Sequence, residues 1–224
     1  MLKAVIFDLD NTLIDFLKMK RLSCEAAVDA MQDAGLNMPK EDALKIIYEI
    51  YDKYGMEDQK IFQRFMKKTL KKVDYRMLAY AIIAYKKVKE GFLTPYPRTK
   101  RTLIKLKESG LKLAIVSDAP RLQVWTRLVS IGLDDFFDAV VAFEDTKMRK
   151  PLALPFKKVL QILKVRANEC LMVGDIPEKD IKGANAIGMK TCFARYGSTT
   201  QSHIKPDFSI DKIEELVRVV ELLR

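Results

Sequence analysis

The chain has 224 residues, 49% of them hydrophobic and 31% charged, which is ordinary for a soluble globular protein. No apolar run approaches the roughly 18–20 residues that span a bilayer, and Lys3 is followed by too few apolar residues for a signal peptide, so a cytoplasmic protein without a membrane partner is expected. The net charge of +10 is spread along the chain rather than gathered in a tail, and the three cysteines, Cys24, Cys170 and Cys192, contain no C-x-x-C pair that would imply a zinc site.

The first element is a short apolar run, Ala4-Val5-Ile6-Phe7, rich in β-branched and aromatic residues, which reads as a buried parallel strand. It ends in Asp8 and Asp10, followed by Asn11 and Thr12. From residue 20 to about 88 there is almost no strand signal. Leu22, Ala26, Ala27, Ala30, Met31 and Ala34 follow helical spacing up to Gly35. Pro39 opens a second helix with Leu44, Ile47, Tyr51 and Tyr54 on one face. Ile61, Phe62, Phe65, Met66 and Leu70 mark a third, and Met77 to Val88 a fourth. Gly91, Pro95 and Pro97 mark the exit from this four-helix segment.

Helices and strands then alternate. Helices are expected over 98–109, 122–131 and 151–163, between Asp175 and Gly188, and from about Asp211. Strands are expected over 111–116, 139–143, 170–173 and 190–194. This alternation implies an α/β fold with a parallel sheet. The expected organisation is a Rossmann-like core of residues 1–15 and 93–224, with an inserted four-helix cap of residues 16–92. The insertion directly follows Asp8 and Asp10, where a lid would sit.

Polar residues collect at the predicted carboxyl ends of the strands: Asp8 and Asp10, Ser117, Lys150, and Asp175 with Asp180. Open parallel sheets bind ligands at that edge. Two acids separated by one residue repel each other unless a cation compensates, and Mg²⁺ prefers carboxylate oxygens. Acids, a hydroxyl and a lysine together suit a metal-assisted reaction on an anion.

Taken in order, Asp8-x-Asp10-x-Thr12, Ser117, Lys150-Pro151 and Gly174-Asp175-x-x-x-x-Asp180 resemble the four motifs of the haloacid dehalogenase (HAD) superfamily. The resemblance covers the whole chain and includes a helical insert in the place of that family's first type of cap. It implies a Mg²⁺-dependent phosphatase working through an aspartyl-phosphate. On that basis Asp8 is the expected nucleophile. Asp10 is the expected acid that protonates the leaving alkoxide and later deprotonates water, and it should hold a proton when substrate binds. Mg²⁺ is expected on Asp8, the backbone carbonyl of Asp10, and Asp175, with Asp180 holding metal-bound water or fixing its neighbours. Ser117, Lys150, Asn11 and Thr12 are the expected phosphate-binding residues, with Thr12 also ordering the turn.

Three features depart from the family pattern: Leu152-Ala153 follow Pro151, Met148 stands where glycine is common, and Asp118 adds a charge beside Ser117. The expected partner is a small phosphorylated metabolite, chosen by cap residues for which Phe16, Lys18 and Lys20 are candidates. The expected state is a monomer or homodimer. A 2-haloacid dehalogenase and a phosphomutase of the same fold are the enzymatic alternatives. Dehalogenases lack an acid at the position of Asp10, because no alkoxide needs protonating. From another class, a basic nucleic-acid-associated protein would also account for the charge. The single histidine, His203, lies in a polar stretch and is expected on the surface.

Overall fold

The computed structural model describes residues 1–199 and 202–224. Thr200 and Gln201, within the polar stretch that contains His203, lie outside the described residues, and His203 itself is exposed. The chain divides into two compact units, Phe16–Leu93 and the combination of Met1–Asp15 with Thr94–Arg224.

The helical unit holds α1 (Phe16–Asp33), α2 (Lys40–Tyr54), α3 (Ile61–Leu70) and α4 (Tyr75–Phe92). Its core is one apolar cluster containing Cys24, Val28, Ile47, Tyr51, Phe62, Phe65 and Met77. Burial of such faces, rather than helix propensity, supplies most of the stability of helices this short. Asp74 caps α4, its side chain accepting the Met77 N–H at 3.0 Å. Tyr54, expected on the inner face of α2, is instead exposed, and the Arg64 guanidinium lies 3.8 Å from its ring centroid. Lys20 is buried, donating to the Tyr85 hydroxyl at 2.9 Å with its ammonium 4.5 Å from the Tyr51 ring centroid.

The second unit is built on six parallel strands: β1 (Ala4–Phe7), β2 (Lys112–Val116), β3 (Ala139–Val141), β4 (Cys170–Gly174), β5 (Lys190–Ala194) and β6 (Phe208–Ile210). Their order is β3-β2-β1-β4-β5-β6. Around them lie α5 (Thr99–Glu108), α6 (Arg121–Ser130), α7 (Phe143–Thr146), α8 (Ala153–Leu163), α9 (Lys182–Asn185) and α10 (Leu216–Leu222). Every residue of β1 is buried, as a strand covered on both faces requires. Alternate residues Ala4, Ile6, Ala114, Val116, Cys170 and Met172 form one face of the sheet and pack with Phe156 and Val159 of α8. Phe7 pairs with both Ile115 and Val173, so β1, β2 and β4 end level with one another. The order of the strands reverses direction between β1 and β4, and in open sheets a crevice opens beyond the strand ends at that point.

Several boundaries differ from the sequence reading. The third strand stops at Val141 because Phe143 already begins α7, where the Asp145 carboxylate accepts the Ala142 N–H at 2.8 Å. The helix after Asp175 comes in two pieces, a π-helical turn at Pro177–Ile181 running into α9. A sixth strand, β6, extends the sheet beyond β5. Three residues with one fully buried side chain are too few to show a period.

Candidate active site

Asp8 directly follows β1, and its N–H bonds the Val173 carbonyl of β4 at 2.9 Å. The chain then reverses in a tight turn: the Asn11 N–H bonds the Ile14 carbonyl at 2.7 Å and the Leu13 N–H bonds the Leu9 carbonyl at 2.9 Å. Asn11 sits at φ 59°, a left-handed conformation that asparagine tolerates better than most residues. A short helical turn at Arg195–Gly197 supports this loop. Tyr196 donates its hydroxyl to the Thr12 carbonyl at 2.7 Å, and Tyr96 meets the Tyr196 ring edge-on. Gly197 comes so close that a Cβ there would lie 1.6 Å from the Asn11 carbonyl oxygen. Thr12 is fully buried and its hydroxyl donates to Asp175 Oδ1 at 3.1 Å, tying this loop to the end of β4.

Lys150 is the electrostatic centre. Its ammonium donates to Asp8 Oδ1 at 2.5 Å and to Asp180 Oδ1 at 2.6 Å, with all three residues buried. Asp8, Asp175 and Asp180 each present a carboxylate oxygen within 4.8 Å of the others. Burial pushes the Asp175 carboxyl strongly up, and the neighbouring charges of Asp8 and Asp180 push it further. Asp180 is also pushed up by burial, with Lys150 opposing. Burial pulls Lys150 down, but Asp180, Asp8 and Asp118 outweigh it and hold the ammonium charged. Three buried carboxylates thus share one neighbouring ammonium, which leaves an excess of two negative charges when all are ionised. The donor set is all oxygen and the excess matches one divalent cation, so these residues fit a hard metal ion.

The backbone explains how Asp180 reaches the cluster. The π-helical turn returns it against the end of β4, where its second oxygen accepts the Ile176 N–H at 3.0 Å. Gly174 makes room, since a Cβ there would lie 2.3 Å from the Asp180 Cγ. Turns of this kind are rare and recur at functional sites. Asp118 pins the other side. One of its oxygens accepts the Lys150 backbone N–H at 2.9 Å and the other lies 3.6 Å from the Lys179 ammonium. The charge beside Ser117 therefore meets a cation and fixes the Lys150 loop. Ser117 is buried at the end of β2, its hydroxyl oxygen accepting the Ala119 N–H at 3.2 Å. Leu152 is exposed and Ala153 begins α8, so the unusual pair after Pro151 leaves the Lys150 contacts in place.

The Asp10 carboxylate takes a different direction from the other acids. Its Oδ2 accepts from the Arg127 guanidinium at 2.6 Å, and the three carboxylates that converge are those of Asp8, Asp175 and Asp180. Sequence reading missed Arg127. A signal existed, because Val124, Arg127 and Leu128 share one face of α6 and an arginine there interrupts a buried stripe.

Residues 5–194 match the sequence pattern of the Haloacid dehalogenase-like hydrolase family. The chain belongs to that family. It is 35% identical over 226 residues to a glyceraldehyde 3-phosphate phosphatase of Methanocaldococcus jannaschii, covering 100% of this chain and 99% of the relative. A pyrophosphatase PpaX of Bacillus cereus is 29% identical over 227 residues, covering 98% and 96%. Among solved structures, a HAD phosphatase of Thermococcus onnurineus aligns with a TM-score of 0.72 at 28% identity over 98% of both chains. Phosphatases of this family are generally metal-dependent, in keeping with the buried aspartate cluster.

Proposed function

We propose that this haloacid dehalogenase-like hydrolase is a phosphatase that cleaves a small phosphorylated metabolite through an aspartyl-phosphate on Asp8, with Mg²⁺ as its metal. The observation that carries the reading is the buried group of Asp8, Asp175 and Asp180 joined by Lys150. Mg²⁺ would be held by Asp8, Asp175 and the backbone carbonyl of Asp10, with Asp180 fixing Lys150 and the coordinating groups. When bound, the ion offsets the carboxylate charge and that of the phosphoryl oxygens.

The chain's own residues supply the rest. One Asp8 oxygen attacks phosphorus while its other oxygen is held by Lys150, whose charge also faces the transferred group. Ser117 donates its hydroxyl to a phosphoryl oxygen, and Asn11 offers its side-chain amide beside it. Asp10 gives a proton to the leaving oxygen and later takes one from water. An acid at this position favours a phosphatase over a dehalogenase. The helical unit, which follows Asp15 in the chain, is read as the family's cap and as the part that selects substrate.

The relatives' names make glyceraldehyde 3-phosphate the first ester to try, with pyrophosphate as the comparison. The test is hydrolysis of p-nitrophenyl phosphate and of these compounds with Mg²⁺, with EDTA, and in Asp8→Asn. Turnover that needs metal and Asp8 supports the reading. Activity untouched by EDTA, or full activity in Asp8→Asn, overturns it.

A further inference from the structure

The inward face of α6 carries Val124 and Leu128, both without exposure, and beside them Arg127, 2% exposed. A guanidinium is costly to bury unless a charged partner meets it. One such partner is the Asp10 carboxylate, 117 residues away in sequence and 2.6 Å from Nη1. Stability alone is a poor reason for such a pair, since well-packed apolar replacements of buried ion pairs are often neutral or better. What the pair does achieve is to fix one oxygen of the acid that lies two residues from the nucleophile.

We propose that Arg127 is the positioning residue for Asp10, holding its Oδ2 and with it the orientation of the carboxyl group. This rests on the phosphatase reading above. In the first half-reaction an Asp8 oxygen bonds phosphorus and the bond from phosphorus to the ester oxygen breaks. The electron pair stays on that oxygen, which takes the Asp10 proton. In the second half-reaction the oxygen of water bonds phosphorus and Asp10 takes a proton from it. The bond between phosphorus and Asp8 then breaks, which restores the Asp8 carboxylate and the Asp10 acid. Arg127 therefore assists the step in which a poor leaving group must be protonated. It contributes little when the leaving group departs unaided.

That asymmetry provides the test. kcat/KM, which reports the first half-reaction, is measured for an alkyl ester, glyceraldehyde 3-phosphate, and for p-nitrophenyl phosphate, whose phenolate is a good leaving group. The enzymes compared are wild type, Arg127→Met and Arg127→Lys, with Mg²⁺ present. Arg127→Met is expected to lose at least about tenfold more on the alkyl ester than on the aryl ester, within the range that general acid catalysis supplies. The loss should fall on kcat, with KM of the alkyl ester within about twofold, and Arg127→Lys should recover part of it. Equal losses on both esters, or no loss on either, would overturn the proposal. Should Arg127→Met not fold, the same comparison in Arg127→Lys decides, with a smaller but still leaving-group-dependent loss expected. Wild-type enzyme that cleaves neither ester with Mg²⁺ refutes the phosphatase reading itself, before any variant is measured.

Discussion

Replacing Lys150 with methionine keeps a side chain of similar length and removes the ammonium that lies 2.5 Å from Asp8 and 2.6 Å from Asp180. Both carboxylates are buried, so neither can recover the lost interaction from water. Breaking a buried pair in this way costs roughly 3–5 kcal/mol. For a chain of this length each 1 kcal/mol is worth about 2–4 °C in Tm, so in EDTA the unfolding transition should fall by about 6–20 °C. Mg²⁺ should return part of it. A ligand at about a hundred times its Kd stabilises a folded protein by roughly 2.7 kcal/mol, and the variant, with one positive charge fewer among the same three carboxylates, should gain more from the ion than wild type does. The assay is scanning calorimetry of both proteins in EDTA and across a MgCl₂ titration. A fall of less than about 2 °C in EDTA, or the same Mg²⁺-dependent rise in both proteins, would refute the charge balance drawn for this site.

Three further outcomes are expected. Gly174→Ala places a Cβ 2.3 Å from the Asp180 Cγ, so it should destabilise by roughly 1–3 kcal/mol and abolish phosphatase activity by displacing that carboxylate, as read by melting and turnover together. At an unhindered site the same change would be mildly stabilising, so an active, more stable variant would contradict the packing. Glu169 accepts from the Arg166 side chain, Lys3 and the Arg166 backbone, which hold its carboxyl well below the usual range. Its contribution is present above the ordinary glutamate value of about 4.3 and is lost as pH falls toward its lowered folded value. The Tm gap between wild type and Glu169→Gln should therefore be widest at neutral pH and close as pH drops below about 4. Cys24, Cys170 and Cys192 are buried, and burial pushes their thiols up to about 11, 12 and 12. Ellman's reagent at pH 8 should react with none of them in the native protein and with three in denaturant, and a fast native phase would contradict this.

How much of this was legible depends on how local each cause is. The apolar run Ala4–Phe7 followed by Asp8 and Asp10 announces a buried strand and its functional end within a few residues, and the ends of β2 and β4 repeat the pattern at Ser117 and Asp175. Asp118 was visible as a charge but not as a clamp, because its partner is the backbone N–H of Lys150, 32 residues on. Arg127 was passed over because α6 has exposed apolar residues, Leu122 and Val129, on its outer side, which blurred the face that the arginine interrupts. Tyr196 and Gly197 carry no motif at all. They matter only because β5 delivers them beneath the Asn11–Thr12 turn, a meeting fixed by strand order rather than by any nearby residue.

The placement of β1 between β2 and β4 has a consequence for how the chain is made. β1 is made before both of its neighbours, which begin at Lys112 and Cys170. At roughly 5–20 residues per second, the apolar strand bearing Asp8 waits on the order of 5–20 s for its first partner and longer for its second. The helical unit is contiguous from Phe16 to Leu93 and can bury its own core during that interval. Asp8 is thus synthesised well before the residues that surround it. The buried cluster of Asp8, Asp175 and Asp180 can form only once β4 has been made, so a chain that ends before Cys170 leaves β1 an unshielded, aggregation-prone strand.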